Sequence, residues 1–427
     1  MLKILFIHQN LPGQFRHLIF HCARDPGCEV AAIGEKKRIL ENVKRPITGV
    51  KFYGYDFTPT PRNQVARDLW TTENALRRGR AAAACLKKLR AEGFIPDVVY
   101  GHPGWGEMLH VRDVFPSARV INYCEFYFNR EGQDYGFDPE FPDSDPDGFR
   151  IRTENMTQLV SLAGADAGIS PTRWQRSRYP EMFRERISVI HDGIDLDIVK
   201  PDPIARIHLS QQSLALTRAD QVITYVSRNL EPYRGFHVFM RALPEIQRQL
   251  PRAHVLIVGG DDTSYGRPLD AGTYREKYLS EVGTRIDMSR VHFLGRLPYS
   301  VYLRVLQVSS AHVYLTYPFV LSWSMLEAMA AGAIVVGSRT APVEEVIANG
   351  HNGLLVDFFS QAELVESLEQ VCDRRSGMDE VRHASMQTVR ERFSLRDECL
   401  LGQLDILGIS TGFVRRDAVT ASGPASG

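Results

Sequence analysis

Two arginines, Arg228 and Arg234, lie on a short polar run, SRNLEPYRGF, that follows the apolar stretch QVITYVS (221–227). Guanidinium groups offer planar, paired donors, the form of positive charge that matches phosphate oxygens. Placed after a strand and beside a glycine that opens a helix, the pair suits a nucleotide diphosphate. Two surface arginines on a polar loop are the plainer alternative. A second cluster is YPFVLSWSMLEAMAAG (317–332), where Glu327 interrupts an otherwise apolar helical turn. A carboxylate there is costly unless something donates to it. A ribose diol could supply two hydroxyls; protein donors alone are the other solution. At the start of the same helix the N–H groups of Ser322, Trp323 and Ser324 lack intrahelical partners and could grip an anion.

The first half carries its own candidates. His102, in YGHPGWGE (100–107), follows a strand-like run, with catalytic and structural roles both open. Trp105 and Glu107 share its loop and could line an acceptor. Glu125 stands among Tyr123, Phe126 and Tyr127. A carboxylate among rings should have a raised pKa, suited to acid–base or charge-stabilising work, unless it pairs, for instance with Arg130. The turn HQNLPGQFRH (8–17) is not GxGxxG, which argues against a nicotinamide or flavin site. Its Gly13 marks either a tight turn or a phosphate or sugar contact.

These residues need strands and helices to hold them. Apolar runs at 2–8, 28–34, 97–101, 118–124 and 165–170 predict one set of strands, with a helical stretch over 65–89. Runs at 221–227, 253–260, 291–295, 311–317, 333–338 and 352–356 predict a second set. Helices are expected at 235–250, 300–308, 323–331 and 361–372. Strands alternating with helices imply parallel sheets covered on both faces. The fold class is therefore α/β, two Rossmann-like doubly wound domains facing a central cleft, with functional residues just after strands. The N-terminal, acceptor-side domain is expected over 1–200 and the donor domain over 201–393. The stretch 200–220 has little strand character and forms the linker. A helix at about 394–410 rejoins the first domain, and 411–427 is a flexible tail. The acidic, aromatic and proline-rich stretch 131–149 should cover or border the cleft.

Composition bounds the partners. With 51 basic and 51 acidic residues the net charge is zero, so no global bias points to nucleic acid. Locally, from Met1 to Phe94, basic residues outnumber acidic ones roughly two to one, as at a membrane or polyanion contact. The stretch ALRRGRAAAACLKKLRAEG (75–93) is either a solvated helix face or one lying on an anionic bilayer. Six cysteines without a CxxC pair suit a reduced, cytoplasmic chain, and no spacing suggests a metal. The opening MLKILFIHQN is too short to span a membrane and is expected to be a buried strand.

Taken together, Ser227–Arg228, Arg234–Gly235, HDGIDLDIVKP (191–201), LIVGG (256–260), FLGRLP (293–298) and LEAMAAG (326–332) resemble the family 4 glycosyltransferases. The likeness covers the whole second half. It extends more loosely into the first through ILFIHQN, DVVYGH and ISPTRWQRSRYP. It implies the GT-B architecture and a retaining transfer from a nucleotide-diphosphate sugar, UDP- or GDP-linked, without a metal or other cofactor. The acceptor would be a sugar, a lipid-linked molecule or a small molecule, in surface polysaccharide, glycolipid or glycoside biosynthesis. Arg228 and Arg234 would neutralise the diphosphate, Glu327 hold the ribose, and backbone around Arg296 and Leu297 meet the base. Gly13, Gly259, Ser322, Trp323, Ser324 and Met325 complete the implied donor set. Glu125 and His102 join the two arginines as the catalytic group. Two departures stand out. The family's E-x7-E run has an earlier glutamate that contacts the transferred sugar; here that position is Phe319. Many relatives carry a histidine near the place of Glu125. A catalytically inactive nucleotide-sugar-binding subunit and a nucleotide-sugar epimerase are the alternatives.

Overall fold

A computed structural model describes residues 1–411 except 46, 144, 210–213 and 374; the tail expected over 411–427 lies, from 412 onward, outside the described residues. The first seven strands are β1 (Leu2–Ile7), β2 (Cys28–Glu35), β3 (Val50–Tyr55), β4 (Val98–Gly101), β5 (Arg119–Tyr123), β6 (Ala167–Ser170) and β7 (Ile187–Val189). They form one parallel sheet in the order β3-β2-β1-β4-β5-β6-β7. β1, from Ile4 onward, and β4 sit centrally as continuous apolar runs, buried on both faces. The two strands at the sheet's edges, β3 and β7, were not among the expected runs. Only one residue of β3 is fully buried, so VKFYGY lacks a continuous apolar signature.

The second domain opens with a surprise in the expected linker. Residues Arg206–Leu209 (β8) and Leu214–Thr217 (β9) pair as an antiparallel hairpin. Ile207, Leu209 and Leu216 alternate inward and join a small core with Val222 and Leu256. The stretch is therefore a half-buried ribbon, its period-2 pattern hidden among polar neighbours. The main sheet then follows: β10 (Val222–Asn229), β11 (His254–Gly260), β12 (Val291–Gly295), β13 (Ala311–Tyr314), β14 (Ile334–Ser338) and β15 (Leu354–Val356). Its order is β12-β11-β10-β13-β14-β15, all parallel. Helices Phe236–Gln249, Tyr299–Val308, Trp323–Ala330 and Gln361–Asp373 cover it close to the expected places.

The chain then crosses back. Ile194 bridges Ser394, and the helix Leu400–Ile406 packs Leu404 into the first domain's core while Gln403 donates to the His191 carbonyl at 3.0 Å. The segment after β5 reaches the other way. Tyr233 donates to Asp134 at 2.6 Å and Tyr317 to Asp138 at 2.6 Å. His237 Nε2 lies 3.1 Å from Asp138, and Arg241 clasps Glu140 with bonds of 2.6 and 2.9 Å. Residues 131–149 thus strap the first domain onto the second, as expected of a stretch bordering the cleft.

Candidate functional site

On the first-domain side, β4 and β5 are neighbours, so the loops after them bring His102 and Glu125 together. The Gly104 N–H donates to His102 Nδ1 at 3.1 Å, which leaves the proton on Nε2. Nε2 then donates to Glu125 Oε2 at 3.1 Å. The imidazole is stacked flat on Trp105, with ring centres 3.7 Å apart. Gln14 donates to the other carboxylate oxygen at 2.7 Å. Glu125 therefore pairs with His102 and Gln14 rather than Arg130. Its pKa is also not raised. Burial pushes the carboxyl up, but the His102 hydrogen bond, with help from Gln14 and the Arg228 charge, holds it below the usual carboxylate range. An ionised carboxylate is the outcome.

Gly13 has φ +48°, and a Cβ there would come within 2.6 Å of His8 Cε1. The glycine lets this turn close over a buried histidine whose pKa burial lowers to about 3. Glu107 does not line the cleft. It is buried and accepts a hydrogen bond from Tyr55.

Sequence reasoning missed Asp192. This buried carboxylate accepts from Tyr123 Oη at 2.9 and 3.0 Å and from Trp323 Nε1, in the other domain, at 2.9 Å. Burial raises its pKa to about 7, against the pull of those two donors. Its place in the His-Asp-Gly run after β7 was the available signal.

On the second-domain side the two arginines part company. Arg234 is buried. Its Nη1 donates to Tyr314 Oη at 3.1 Å and Thr316 Oγ1 at 2.7 Å, and its Nη2 to the Val320 carbonyl at 3.0 Å. Gly235, at φ +68°, lets the helix start hard against Leu315, whose Cβ would lie 2.3 Å from an added methyl. Arg234 thus ties the β13 loop together, and little of its fork is left for a ligand. Arg228 is exposed and lines a cavity of about 990 Å³ with Asn229, Tyr265, Arg296 and, from the first domain, Arg62. Arg296 donates to Asn229 at 2.9 Å and Asp262 at 2.8 Å. The adjoining Leu297 packs against the hairpin core.

Glu327 is held by protein donors: Tyr299 Oη at 2.7 Å and Tyr302 Oη at 2.5 Å. Burial raises its pKa and the two hydroxyls oppose the rise. At the helix start, Ser322 N–H donates to Tyr314 Oη and Ser324 N–H to Ser322 Oγ. Met325 departs from the expected set, since its side chain is core and its N–H bonds the Ser322 carbonyl. Gly259 also faces inward, where a Cβ would meet Leu230 at 2.8 Å. Phe319 is half-buried, its ring centre 4.6 Å from Phe126 of the first domain and 5.0 Å from Tyr265.

Two family models match successive parts of the chain: "Glycosyl transferase family 4 group" over residues 26–199 and "Glycosyl transferases group 1" over residues 210–391. The chain belongs to the family 4 glycosyltransferases. A D-inositol 3-phosphate glycosyltransferase of Corynebacterium efficiens is 29% identical over 207 residues, 47% of each chain. A GDP-mannose-dependent alpha-(1-6)-phosphatidylinositol monomannoside mannosyltransferase of Mycolicibacterium smegmatis is 26% identical over 201 residues, 45% of this chain and 49% of that one. The chain spans about half the length of the curated relatives it matches. Among solved structures, sucrose-phosphate synthase from Thermosynechococcus elongatus superposes with a TM-score of 0.70 at 17% identity, covering 96% of this chain and all of that one. HepE of Anabaena, in complex with UDP and glucose, gives 0.65 at 17% identity, covering 95% and 99%. These likenesses establish the GT-B fold for this family member.

Proposed function

We propose that this protein transfers a sugar, with retention of anomeric configuration, from a nucleoside-diphosphate sugar to a hydroxyl acceptor. The observation that carries the reading is an exposed Arg228 beside a large interdomain cavity, close enough for its charge to act on the Glu125–His102 pair. The donor diphosphate lies against Arg228, and buried Arg234 adds its field from beneath. Glu327 takes the ribose diol on its remaining lone pairs or in exchange for the half-exposed Tyr299, and backbone at Arg296 and Leu297 meets the base. The bond from the sugar's anomeric carbon to the phosphate oxygen breaks, and a bond to the acceptor oxygen forms on the same face. The acceptor proton passes to the departing phosphate. Ionised Glu125 orients the acceptor hydroxyl and stabilises the positive charge that develops on the ring. No protein-bound metal is needed. A relative named for GDP-mannose and a fold neighbour holding UDP support a UDP- or GDP-sugar donor. We assign the acceptor to surface polysaccharide, glycolipid or glycoside synthesis, at the cytoplasmic face of a membrane.

Thermal-shift measurements with UDP, GDP, ADP and TDP and their common sugars test this, on wild type and Glu327→Ala. A ligand at about a hundred times its dissociation constant adds about 2.7 kcal/mol. One nucleotide should stabilise wild type and fail on the variant. Stabilisation by none at millimolar concentration sinks the reading. Stabilisation with neither transfer nor slow donor hydrolysis favours an inactive binding subunit, for which Phe319 is the specific observation.

A further inference from the structure

We propose that the outward face of two neighbouring helices in the first domain docks on an anionic lipid bilayer. One is Trp70–Ala91; the other is Phe149–Glu154 with its continuation Met156–Ala163. They lie side by side, Thr72 Oγ1 donating to the Thr153 carbonyl at 3.5 Å. Each buries one face. Ala75, Ala82, Leu86 and Leu89 of the first helix, and Ile151 and Leu162 of the second segment, point inward.

The opposite faces do not have the composition of an ordinary solvated surface. Phe149 is 72% exposed, Val160 58%, Leu76 47% and Met156 43%. Phe149, Arg152, Met156 and Val160 recur at helical spacing, so they form one stripe. On the neighbour, Leu76, Arg80, Ala84 and Lys87 do the same, with Arg77, one nitrogen of which donates to Thr60, beside them. Acidic groups nearby are few or already engaged. Asp143 and Glu154 pair with Arg150, Glu92 with Lys88, and Glu73 is half-buried, leaving Asp68 and Asp147 at the edge. Large apolar side chains set among exposed cations fit the boundary between headgroups and acyl chains. The rings and alkyl groups enter, while long basic side chains reach anionic phosphates. A solvated face needs the charges but gains nothing from the phenylalanine.

The location gives the surface a use. Just before the helix Trp70–Ala91, Arg62 stacks on Trp70 at 4.8 Å and lines the same cavity as Arg228. A bilayer on this face would lie beside the cleft mouth, so a lipid-linked acceptor could reach Glu125 without leaving the membrane. That consequence rests on the glycosyl-transfer reading; the docking surface does not.

Co-sedimentation of the full chain with phosphatidylcholine vesicles, with and without phosphatidylglycerol as about a third of the lipid, tests the inference. Wild type should pellet with the anionic vesicles only, and high salt should release it. Phe149→Ser with Val160→Ser, and separately Arg77→Gln with Arg80→Gln and Lys87→Gln, should each weaken binding about tenfold or more. All these positions are exposed, and an unchanged melting temperature verifies folding. Three results would overturn the proposal: no pelleting with either vesicle, equal pelleting of variants and wild type, or a dimer by light scattering that the apolar variant abolishes. The assay needs no sugar donor, so its failure leaves the nucleotide-stabilisation result standing, and the reverse holds too.

Discussion

Asp192 makes stability depend on pH in a way that can be worked out beforehand. Its carboxyl has a pKa of about 7 in the folded chain against 3.8 without the fold. A raised carboxyl means that the folded state holds a proton the unfolded state has released. Its contribution is therefore complete below the unfolded value and lost as pH rises through about 7. Taken from about pH 5 to about pH 8, the two-state binding expression gives a loss of about 2–3 kcal/mol. Asp192→Asn cannot titrate, so the stability difference between wild type and variant should shift by that amount across the window. Both proteins would be unfolded in urea at several pH values and followed by tryptophan fluorescence, since Trp323 donates to this carboxylate. Trp323→Phe removes one donor to the charged form, so its profile should move to higher pH. A wild-type-minus-variant difference that stays flat across the window would refute the assignment of a protonated, buried Asp192.

Other perturbations follow from the same geometry. His102→Ala takes away the main donor that keeps Glu125 ionised, so burial should push that carboxyl up. The acidic limb of the kcat/KM profile should then move to higher pH, and kcat should fall by about a hundredfold. Because Glu125 is depressed in the wild type, its stabilising contribution is lost as pH falls through the folded value; the variant should lack that acid-side loss. Asp138→Asn leaves His237 and Tyr317 without a charged acceptor in a buried contact. It should cost about 2–3 kcal/mol and speed hydrogen exchange selectively in residues 131–149. Gly13→Ala forces a methyl against His8 from a left-handed backbone, and should lower stability by about 1–3 kcal/mol in thermal denaturation.

Local pattern carried much of this protein. Continuous apolar runs such as ILFI (4–7) and VLIV (255–258) fix the central parallel strands, because burial on both faces leaves no polar position within them. The amphipathic stretch FHVFMRALPEIQRQ fixes its helix. The edge strands and the Arg206–Thr217 hairpin escaped because half of each faces solvent, so their alternation resembles a polar loop. Residue chemistry likewise singled out Glu125, His102, Arg228, Arg234 and Glu327. What each does depends on partners far away in the chain. His102 finds Glu125 only because β4 and β5 are adjacent in the sheet. Arg228 and Arg234 sit on one loop with equal chemical promise, yet one faces the cleft and the other is spent under β13. Asp192 acquires its pKa from burial and from a tryptophan in the other domain. Periodicity is a property of neighbours along the chain, so sequence determines the elements. Burial and pairing are properties of neighbours in space, and only the packed domains decide them.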